Sequence, residues 1–531
     1  MIRRVLAVAV AAAAVLAGCS SGDDEPGTVY REGELRILGG SELADLAPIL
    51  RQAERDIGVR VRMTYAGTLD GVQQVVDGKA DGRYEAVWFS SNRYLALHRD
   101  AQRRLRTATT TMASPVVLGV RQSAAKRLGW DTRPPTWADI AEAAAAKKFT
   151  YGMTSPAASN SGFSALVAVA SALAGSGSAL DAASVDRAAP RLREFFAGQT
   201  LTAGSSGWLS DAYLRRQGAL LDGLVNYESV LRSLNASGRL REPLTIVYPR
   251  DGVVSADYPL TLLASAPAEA RESHRRLGEY LRRPDVQRRI MTEAHRRPVN
   301  PQVRPDGFAA MPPELPFPAR LDAVDALLGA YFDKIRRPSR TLYVIDTSGS
   351  MDGERIEALR TALVALTGGA GAPSGRYDRF HNREEVTLIP FGSAPGEPRV
   401  HTVPARAPEA ELGRIREFAR GLTAGGETAI YDSLTRAYQV ADQQAARDPD
   451  RFTSIVLMSD GENTSGTDFE AFRARFGGLP ERVRGVPVFP VLFGEAAVDE
   501  MKALAELTGG RVFDARSQSL DVVFREIRGY Q

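Results

Sequence analysis

The sequence is poor in the side chains that carry most enzyme and metal chemistry. Its 531 residues include one cysteine and five histidines, so neither an intramolecular disulfide nor a cysteine-based zinc site can form. The histidines are scattered at positions 98, 274, 295, 381 and 401 without helical ligand spacing, which argues against a histidine zinc site. The sequence also lacks a Gly-x-Ser-x-Gly elbow and a P-loop, and these absences argue against the common hydrolase and nucleotide-binding motifs.

An excess of one charge and a long apolar run are also missing. Lys and Arg total 67 against 64 Asp and Glu, which gives a net charge of +3. This near balance indicates no nucleic-acid partner. The 44% hydrophobic and 25% charged residues are typical of a soluble globular protein. Beyond the N-terminus no stretch of 18 uninterrupted apolar residues occurs, so no further membrane span is predicted.

The N-terminus has the pattern of an export signal. Arg3 and Arg4 precede 14 apolar residues, a length suited to a signal-peptide core and too short for a bilayer span. The stretch ends in Leu-Ala-Gly-Cys19, which resembles the bacterial lipobox. That resemblance implies a signal peptide over 1–18, a lipidated Cys19, a flexible tether over 19–32, and a location on the outer face of the plasma membrane. An ordinary secretory signal is the alternative.

Apolar runs alternate with helical patterns along the rest of the chain. Over residues 33–300 this alternation predicts an α/β domain of two lobes. Prolines crowd the following segment, so a stiff linker with a short helix is expected over 301–337. The alternation restarts over 338–531 and predicts a doubly wound, Rossmann-like α/β domain.

Oxygen-bearing side chains collect where strands of the last domain are predicted to end. The run VIDTSGSMDG leads from an apolar strand into Asp346, Ser348 and Ser350. Thr428 closes the loop TAGGET, and Asp460 follows the apolar run SIVLMS. Because the carboxyl ends of parallel strands meet at one sheet edge, these side chains are expected to converge. Such oxygens suit Mg²⁺; the alternative is that the residues only cap helices.

The five positions resemble the metal-ion-dependent adhesion site of von Willebrand factor type A domains. The resemblance covers about residues 338–531. It implies that Ser348, Ser350 and Thr428 are hydroxyl ligands, and that Asp346 and Asp460 bind Mg²⁺, Mn²⁺ or Ca²⁺ directly or through water. The open position of the cation would accept an Asp or Glu carboxylate from a protein partner. A fold that keeps these residues without holding a metal in the cell is the alternative.

Small hydroxyl residues follow the predicted strands of the first domain and face helix N-termini, an arrangement that suits an anion or a small polar solute. The candidate pocket residues are Ser41, Thr68, Ser91, Ser159, Ser161 and Tyr227. This layout resembles the type 2 extracellular solute-binding proteins, which have the periplasmic-binding-protein fold. Capping or turn roles are the alternative for each residue, and a vestigial pocket on a scaffold is the alternative for the set.

These patterns predict a non-enzymatic cell-surface lipoprotein. Its last domain would bind a protein partner through a divalent metal, and its first domain would be an attached solute-binding-like module. The alternative is the solute-capture component of an ABC importer, docked through the last domain. A metal-dependent hydrolase is disfavoured because no positioned His or Lys base accompanies the five oxygen-bearing residues.

Overall fold

The structure is a computed structural model. It describes residues 31, 33–175, 177–216, 221–368, 377, 379–494, 497–516 and 520–531. The predicted signal peptide and Cys19 lie outside these residues. Within the described ranges, none of the helices has the length and apolar character needed to cross a membrane.

The part of the chain before the proline-rich segment alternates strands with helices. Its strands are β1 Glu34–Gly39, β2 Arg60–Tyr65, β3 Ala86–Trp88, β4 Leu105–Thr110, β5 Ser114–Arg121, β6 Tyr151–Thr154, β7 Gln199–Ala203, β8 Gly223–Tyr227, β9 Leu244–Val247, β10 Ser255–Ala256 and β11 Pro259–Leu263. Its α-helices are α1 Ala47–Ile57, α2 Thr68–Val76, α3 Arg93–Ala96, α4 Arg99–Gln102, α5 Gln122–Leu128, α6 Trp137–Ala145, α7 Asn160–Ala174, α8 Ala182–Ala197, α9 Ser206–Arg216, α10 Glu228–Ala236, α11 Ala268–Leu281 and α12 Pro284–Glu293. A 3-10 helix, Ser41–Leu46, precedes α1.

Two sheets define two lobes. The first has the order β2-β1-β3-β11-β4, in which β1 runs parallel to β2 and β3, and β11 runs antiparallel to its neighbours. The second has the order β10-β5-β8-β6-β7, with β9 paired to β5. The chain therefore leaves the first lobe after β4 and returns to it at β11. This arrangement confirms the predicted two-lobed α/β architecture.

Helix α7 lies at the centre of the second lobe. Its sequence, NSGFSALVAVASALA, has no charged residue, and nearly all of its side chains are buried. It packs against α6, α8, β5 and β8. A helix that is mostly apolar on all sides is stable only when neighbours cover every face. The serines near its N-terminus, Ser161 and Ser164, are therefore buried as well.

The segment after the lobes docks onto them and does not stand apart. Leu315 N donates to Val253 O at 2.7 Å. Helix α13, Leu321–Ala330, continues into a π-helical turn, Tyr331–Ile335, and both pack on α8. The rings of Phe196 and Tyr331 meet edge to face at 5.1 Å. The predicted short helix is present, and the proline-rich segment is anchored to the second lobe.

The last part of the chain forms one six-stranded sheet between helices. Its strands are β12 Ser339–Asp346, β13 Glu385–Phe391, β14 Arg399–Thr402, β15 Phe452–Ser459, β16 Val488–Leu492 and β17 Phe513–Asp514. Its helices are α14 Glu354–Ala365, α15 Glu409–Arg420, α16 Ile430–Arg447, α17 Phe469–Gly477, α18 Glu481–Arg484, α19 Val498–Thr508 and α20 Leu520–Arg528. The order is β14-β13-β12-β15-β16-β17, and only the β13–β14 pair is antiparallel.

Strand β12 is the centre of this sheet and is buried along its whole length. Tyr343 and Ile345 enter the core on one face, and Leu342 and Val344 enter the core on the other. This alternation follows from the two-residue period of a strand whose faces are both covered by helices. The predicted doubly wound α/β domain is confirmed. Strand β12 ends at Asp346 and places this residue at the edge of the sheet.

Candidate functional site

Two neighbouring parallel strands deliver the carboxylates of the predicted metal site. Asp346 is the last residue of β12, and Asp460 follows the last residue of β15. The two strands pair in register from Ser339 with Phe452 to Ile345 with Met458. Both carboxylates therefore emerge at the same edge of the sheet, where parallel α/β sheets place their ligands.

Asp346 is completely buried and is held by hydrogen bonds at both oxygens. Ser348 N donates to its Oδ1 at 2.8 Å, and Ser459 Oγ donates to its Oδ2 at 2.6 Å. Burial raises the pKa of Asp346 above its usual range, although the hydrogen bonds from Ser348 and Ser459 oppose that effect. Asp460 is a further, smaller cause of the raised pKa, so the two carboxylates are near enough to repel each other.

The serines connect the two carboxylates through a chain of short contacts. Ser348 Oγ lies 3.0 Å from Ser350 Oγ, and Ser350 Oγ donates to Asp460 Oδ1 at 2.9 Å. Ser348 is buried, whereas Ser350 is exposed. Four of the five predicted residues thus form one group that reaches from the buried sheet edge to the surface.

Thr428 belongs to a loop that is hydrogen-bonded to the serine loop, the segment that carries Ser348 and Ser350. Gly349 N donates to Gly426 O at 2.9 Å, and Gly425 N donates to Thr347 O at 2.7 Å. Gly426 has a φ of +84°, a conformation that favours glycine and lets the loop turn towards the site. Thr428 is buried, and its backbone N–H donates to Thr464 Oγ1 at 2.9 Å.

The donors fit a hard divalent cation that accepts hydroxyl ligands. Two carboxylates and neighbouring hydroxyls match the oxygen chemistry of Mg²⁺, which commonly keeps water in its shell. No cluster of three or more His, Cys, Asp or Glu side chains suited to a metal occurs in the described part of the chain, so this site depends on its hydroxyls. The nearby acids Asp352, Glu354 and Glu462 are all exposed.

In the first domain, some of the predicted pocket residues meet in a buried hydroxyl network. Ser161 Oγ lies 2.9 Å from both Thr154 Oγ1 and Ser206 Oγ, and 3.2 Å from Ser159 Oγ. Ser206 Oγ also donates to Asn226 Oδ1 at 3.2 Å. Asn226 is fully buried, and its Nδ2 has no hydrogen-bond partner among the described residues.

The other predicted pocket residues occupy two helix starts, a turn and the end of β8. Ser41 is exposed and starts the 3-10 helix, and Thr68 is the first residue of α2. Ser91 Oγ accepts a hydrogen bond from Arg93 N at 3.3 Å, which is a turn contact. Tyr227 is buried with its hydroxyl 3.5 Å from Ser164 Oγ, and burial raises its pKa well above the usual range.

The sequence prediction missed the residues that join the lobes. Asn160 Nδ2, in the second lobe, donates to Glu42 Oε1, in the first lobe, at 3.0 Å. The backbones also meet, because a Cβ added at Gly67 would lie 2.3 Å from Ala158 O. Burial raises the pKa of Glu42. Glu42 and Asn160 each neighbour a predicted serine, so only their pairing across 118 residues was hidden from the sequence.

Comparison with known families assigns both halves of the chain. The bacterial extracellular solute-binding protein family matches residues 35–293, and the von Willebrand factor type A domain family matches residues 341–462. The chain is therefore an α/β protein with two recognisable domains. It carries a bacterial extracellular solute-binding domain followed by a von Willebrand factor type A domain, and domains of these two kinds are typically non-catalytic.

Individual relatives cover the two halves separately. The human inter-alpha-trypsin inhibitor heavy chain H4 is 34% identical over 132 residues, which is 24% of this chain and 13% of that protein. The chain thus spans about 13% of the length of the curated relatives it matches. The solved periplasmic binding protein AfuA from Actinobacillus pleuropneumoniae is 12% identical, covers 57% of this chain and 98% of its own, and has a TM-score of 0.45. The von Willebrand factor type A structure from Catenulispora acidiphila is 19% identical, covers 36% and 42%, and has a TM-score of 0.30.

Proposed function

We propose that this protein is a lipid-anchored surface protein that binds a protein partner through a divalent cation. Asp346, Ser348, Ser350, Thr428 and Asp460 would hold Mg²⁺, or Mn²⁺ or Ca²⁺ in its place. An Asp or Glu carboxylate of the partner would take the remaining position of the cation. Anchoring through Cys19 would place this site outside the plasma membrane.

The continuous contact from Ser348 through Ser350 to Asp460 carries this proposal. Ser350 Oγ is 3.0 Å from Ser348 Oγ and 2.9 Å from Asp460 Oδ1, so two hydroxyls and a carboxylate already lie together. Hydroxyl ligands leave the charge of a divalent cation only partly neutralised. Such a cation keeps its attraction for an external acid, which is the property that an adhesion site requires.

The direct test measures the thermal unfolding of the full chain with Mg²⁺ and with EDTA. Mg²⁺ should raise the melting temperature of the wild type, because a ligand that binds only the folded state stabilises it. Asp346→Asn should abolish the increase. Asp352→Asn is the matched control, since Asp352 is an exposed acid in the same loop, and it should keep the increase. An Mg²⁺ response that survives in Asp346→Asn would contradict the proposed site.

The partner is tested by capture from membranes of the source cells. The full chain should retain acidic partners in Mg²⁺ and release them in EDTA, while Asp346→Asn should retain none in either condition. Partners that remain bound in EDTA would contradict metal-dependent recognition.

Solute capture by the first domain is a second candidate function. The buried network of Ser159, Ser161, Ser206 and Asn226 supports it, because Asn226 Nδ2 keeps an unused donor in the described structure. Calorimetry of the full chain with sulfate, phosphate and neutral sugars tests this role. Binding of one probe that is lost in Ser161→Ala and kept in Asp346→Asn would favour the importer role, and absence of binding would favour a scaffold role.

A further inference from the structure

An arginine reaches the predicted metal site from the helix that follows the serine loop. Arg355 lies in the first turn of α14, and its Nη1 donates to Asp460 Oδ2. The same nitrogen donates to the backbone oxygen of Ser350 at 3.2 Å. The Arg355 side chain is 44% exposed, whereas the Asp460 side chain is 0% exposed. A surface cation therefore contacts a buried acid of the site.

The two oxygens of Asp460 have different partners. Oδ1 accepts from Ser350 Oγ at 2.9 Å, and Oδ2 accepts from Arg355. Gly494 adjoins this contact: a Cβ added there would lie 2.7 Å from Asp460 O and 3.3 Å from Arg355 Cζ. A larger side chain at that position would therefore crowd the guanidinium, so the surrounding backbone leaves room for the arginine.

The charges of these three side chains determine what the site attracts. Asp346 and Asp460 together bring two negative charges and Arg355 brings one positive charge, so their sum is one negative charge. The nearby acids Asp352, Glu354 and Glu462 are exposed to solvent, where their charges are screened. With a divalent cation the sum becomes one positive charge; without Arg355 it would be zero. The arginine thus opposes the cation and favours an incoming carboxylate.

We infer that Arg355 is the specificity-determining residue of this site. Its positive charge neutralises the negative charge of Asp460 before the cation binds. Once the cation is bound, Arg355 leaves the site with a net positive charge that selects an acidic partner. This inference rests on the proposed function, since it assumes that the five oxygen-bearing residues hold a divalent cation.

Calorimetric titration of the full chain with Mg²⁺ tests the first half of the inference. Arg355→Gln should bind Mg²⁺ about tenfold more tightly than the wild type, because a like charge a few ångströms from the cation has been removed. Arg355→Lys keeps the charge and should stay near the wild type. Arg473→Gln is the control for loss of one positive charge, since Arg473 is exposed and pairs with the exposed Glu470 at 3.5 Å; it should not change the affinity.

Acetate tests the second half, as a probe for the partner's carboxylate. With Mn²⁺ bound, acetate displaces water from the cation and lowers the relaxation rate of water protons. Half of this decrease should require several-fold more acetate in Arg355→Gln than in the wild type or Arg473→Gln. Raising the salt concentration should shrink the difference, because screening weakens the charge of Arg355.

The outcomes separate this inference from the proposed function. Equal or weaker Mg²⁺ binding in Arg355→Gln would overturn the inference while leaving the metal site in place. Equal acetate dependence in the wild type and Arg355→Gln would overturn the selection of an acidic partner. Absence of Mg²⁺ binding in the wild type would overturn the proposed function and this inference together.

Discussion

Asn160 and Glu42 join the two lobes of the first domain through a side-chain hydrogen bond of 3.0 Å. Asn160 starts α7 in the second lobe, and Glu42 lies in the 3-10 helix of the first lobe. Burial raises the pKa of Glu42, and the bond from Asn160 acts in the opposite direction. The bond therefore stabilises the charged carboxylate and the contact between the lobes at the same time.

Removing this bond should weaken the contact between the two lobes. Asn160→Ala leaves the Glu42 carboxylate without its donor from the second lobe, which should cost about 1–3 kcal/mol. Hydrogen exchange at the amides of Ser159–Phe163 should accelerate, because these residues lie next to the lost contact. The matched control is Asn382→Ala, which removes an exposed amide that donates to Ala405 O at 3.3 Å in the other domain. Unchanged exchange at the start of α7 would contradict a cross-lobe role for Asn160.

Residues near the C-terminus join the last domain, called the second domain below, to the second lobe of the first domain. A Cβ added at Gly204 would lie 2.7 Å from Tyr530 Cε2. The Tyr530 ring also meets Trp208 edge to face at 4.7 Å, and its hydroxyl accepts from Arg511 Nη1 at 2.8 Å. Tyr530 therefore packs directly against Gly204 and Trp208 of the second lobe.

Enlarging Gly204 should displace Tyr530 and expose Trp208. In Gly204→Leu the new side chain occupies the space of the tyrosine ring, so tryptophan emission should shift to longer wavelength and α20 should become sensitive to protease. Gly207→Ala is the control, because a Cβ at Gly207 meets no atom within 4 Å. Identical emission and protease sensitivity in the two variants would show that Tyr530 does not hold the domains together.

A buried acid between two arginines should make the second domain sensitive to acid. Glu384 Oε1 and Oε2 accept from Arg528 Nη2 at 2.7 and 2.9 Å, and Arg336 also donates to Oε1. Burial alone would raise its pKa, but the two arginines outweigh burial and lower it from 4.5 to about 2.

The pH dependence follows from that lowered pKa. Because the folded pKa lies below the unfolded one, the stabilisation is complete above pH 4.5 and is lost as the pH falls towards about 2. The difference between the folded and unfolded pKa values corresponds to roughly 3 kcal/mol in the free energy of unfolding. Urea unfolding of the wild type and of Glu384→Gln, at pH values between about 2 and 4.5, measures this loss. A parallel decline in the two proteins would rule out Glu384 as the cause.

At neutral pH the same substitution should be strongly destabilising. Glu384→Gln leaves Arg336 and Arg528 buried without their carboxylate, which should cost about 3–5 kcal/mol. The control is Glu409→Gln, which breaks an exposed pair with Arg416 at 2.9 Å and should cost at most about 1 kcal/mol. Equal losses in the two variants, measured by urea unfolding, would contradict the buried cluster as an anchor.

The sequence was most informative where strands are covered on both faces. The apolar runs before Asp346 and Asp460 predicted strands at those places, and β12 and β15 lie there, because such strands need continuous hydrophobic residues. It did not reveal β14, whose residues are mostly exposed. An edge strand of that kind has no apolar pattern to detect, and its pairing depends on β13.

For the candidate site, the strand ends could be predicted but the long-range contacts could not. Asp346 and Asp460 were placed together because each lies at the end of a buried parallel strand. The contact of Arg355 with Asp460 joins residues 105 positions apart, and that of Glu384 with Arg528 joins residues 144 positions apart. Both depend on how helices pack against the sheet, which local patterns do not encode.

Anomalous diffraction from crystals of the full chain grown in Mn²⁺ tests the central claim most directly. The account predicts one strong manganese peak within coordination distance of the Ser348 and Ser350 hydroxyls, with Thr428, Asp346 and Asp460 around it. Crystals of Asp346→Asn grown in the same solution should lack that peak. A wild-type map with no manganese among these five residues, or with manganese bound only elsewhere, would contradict the account.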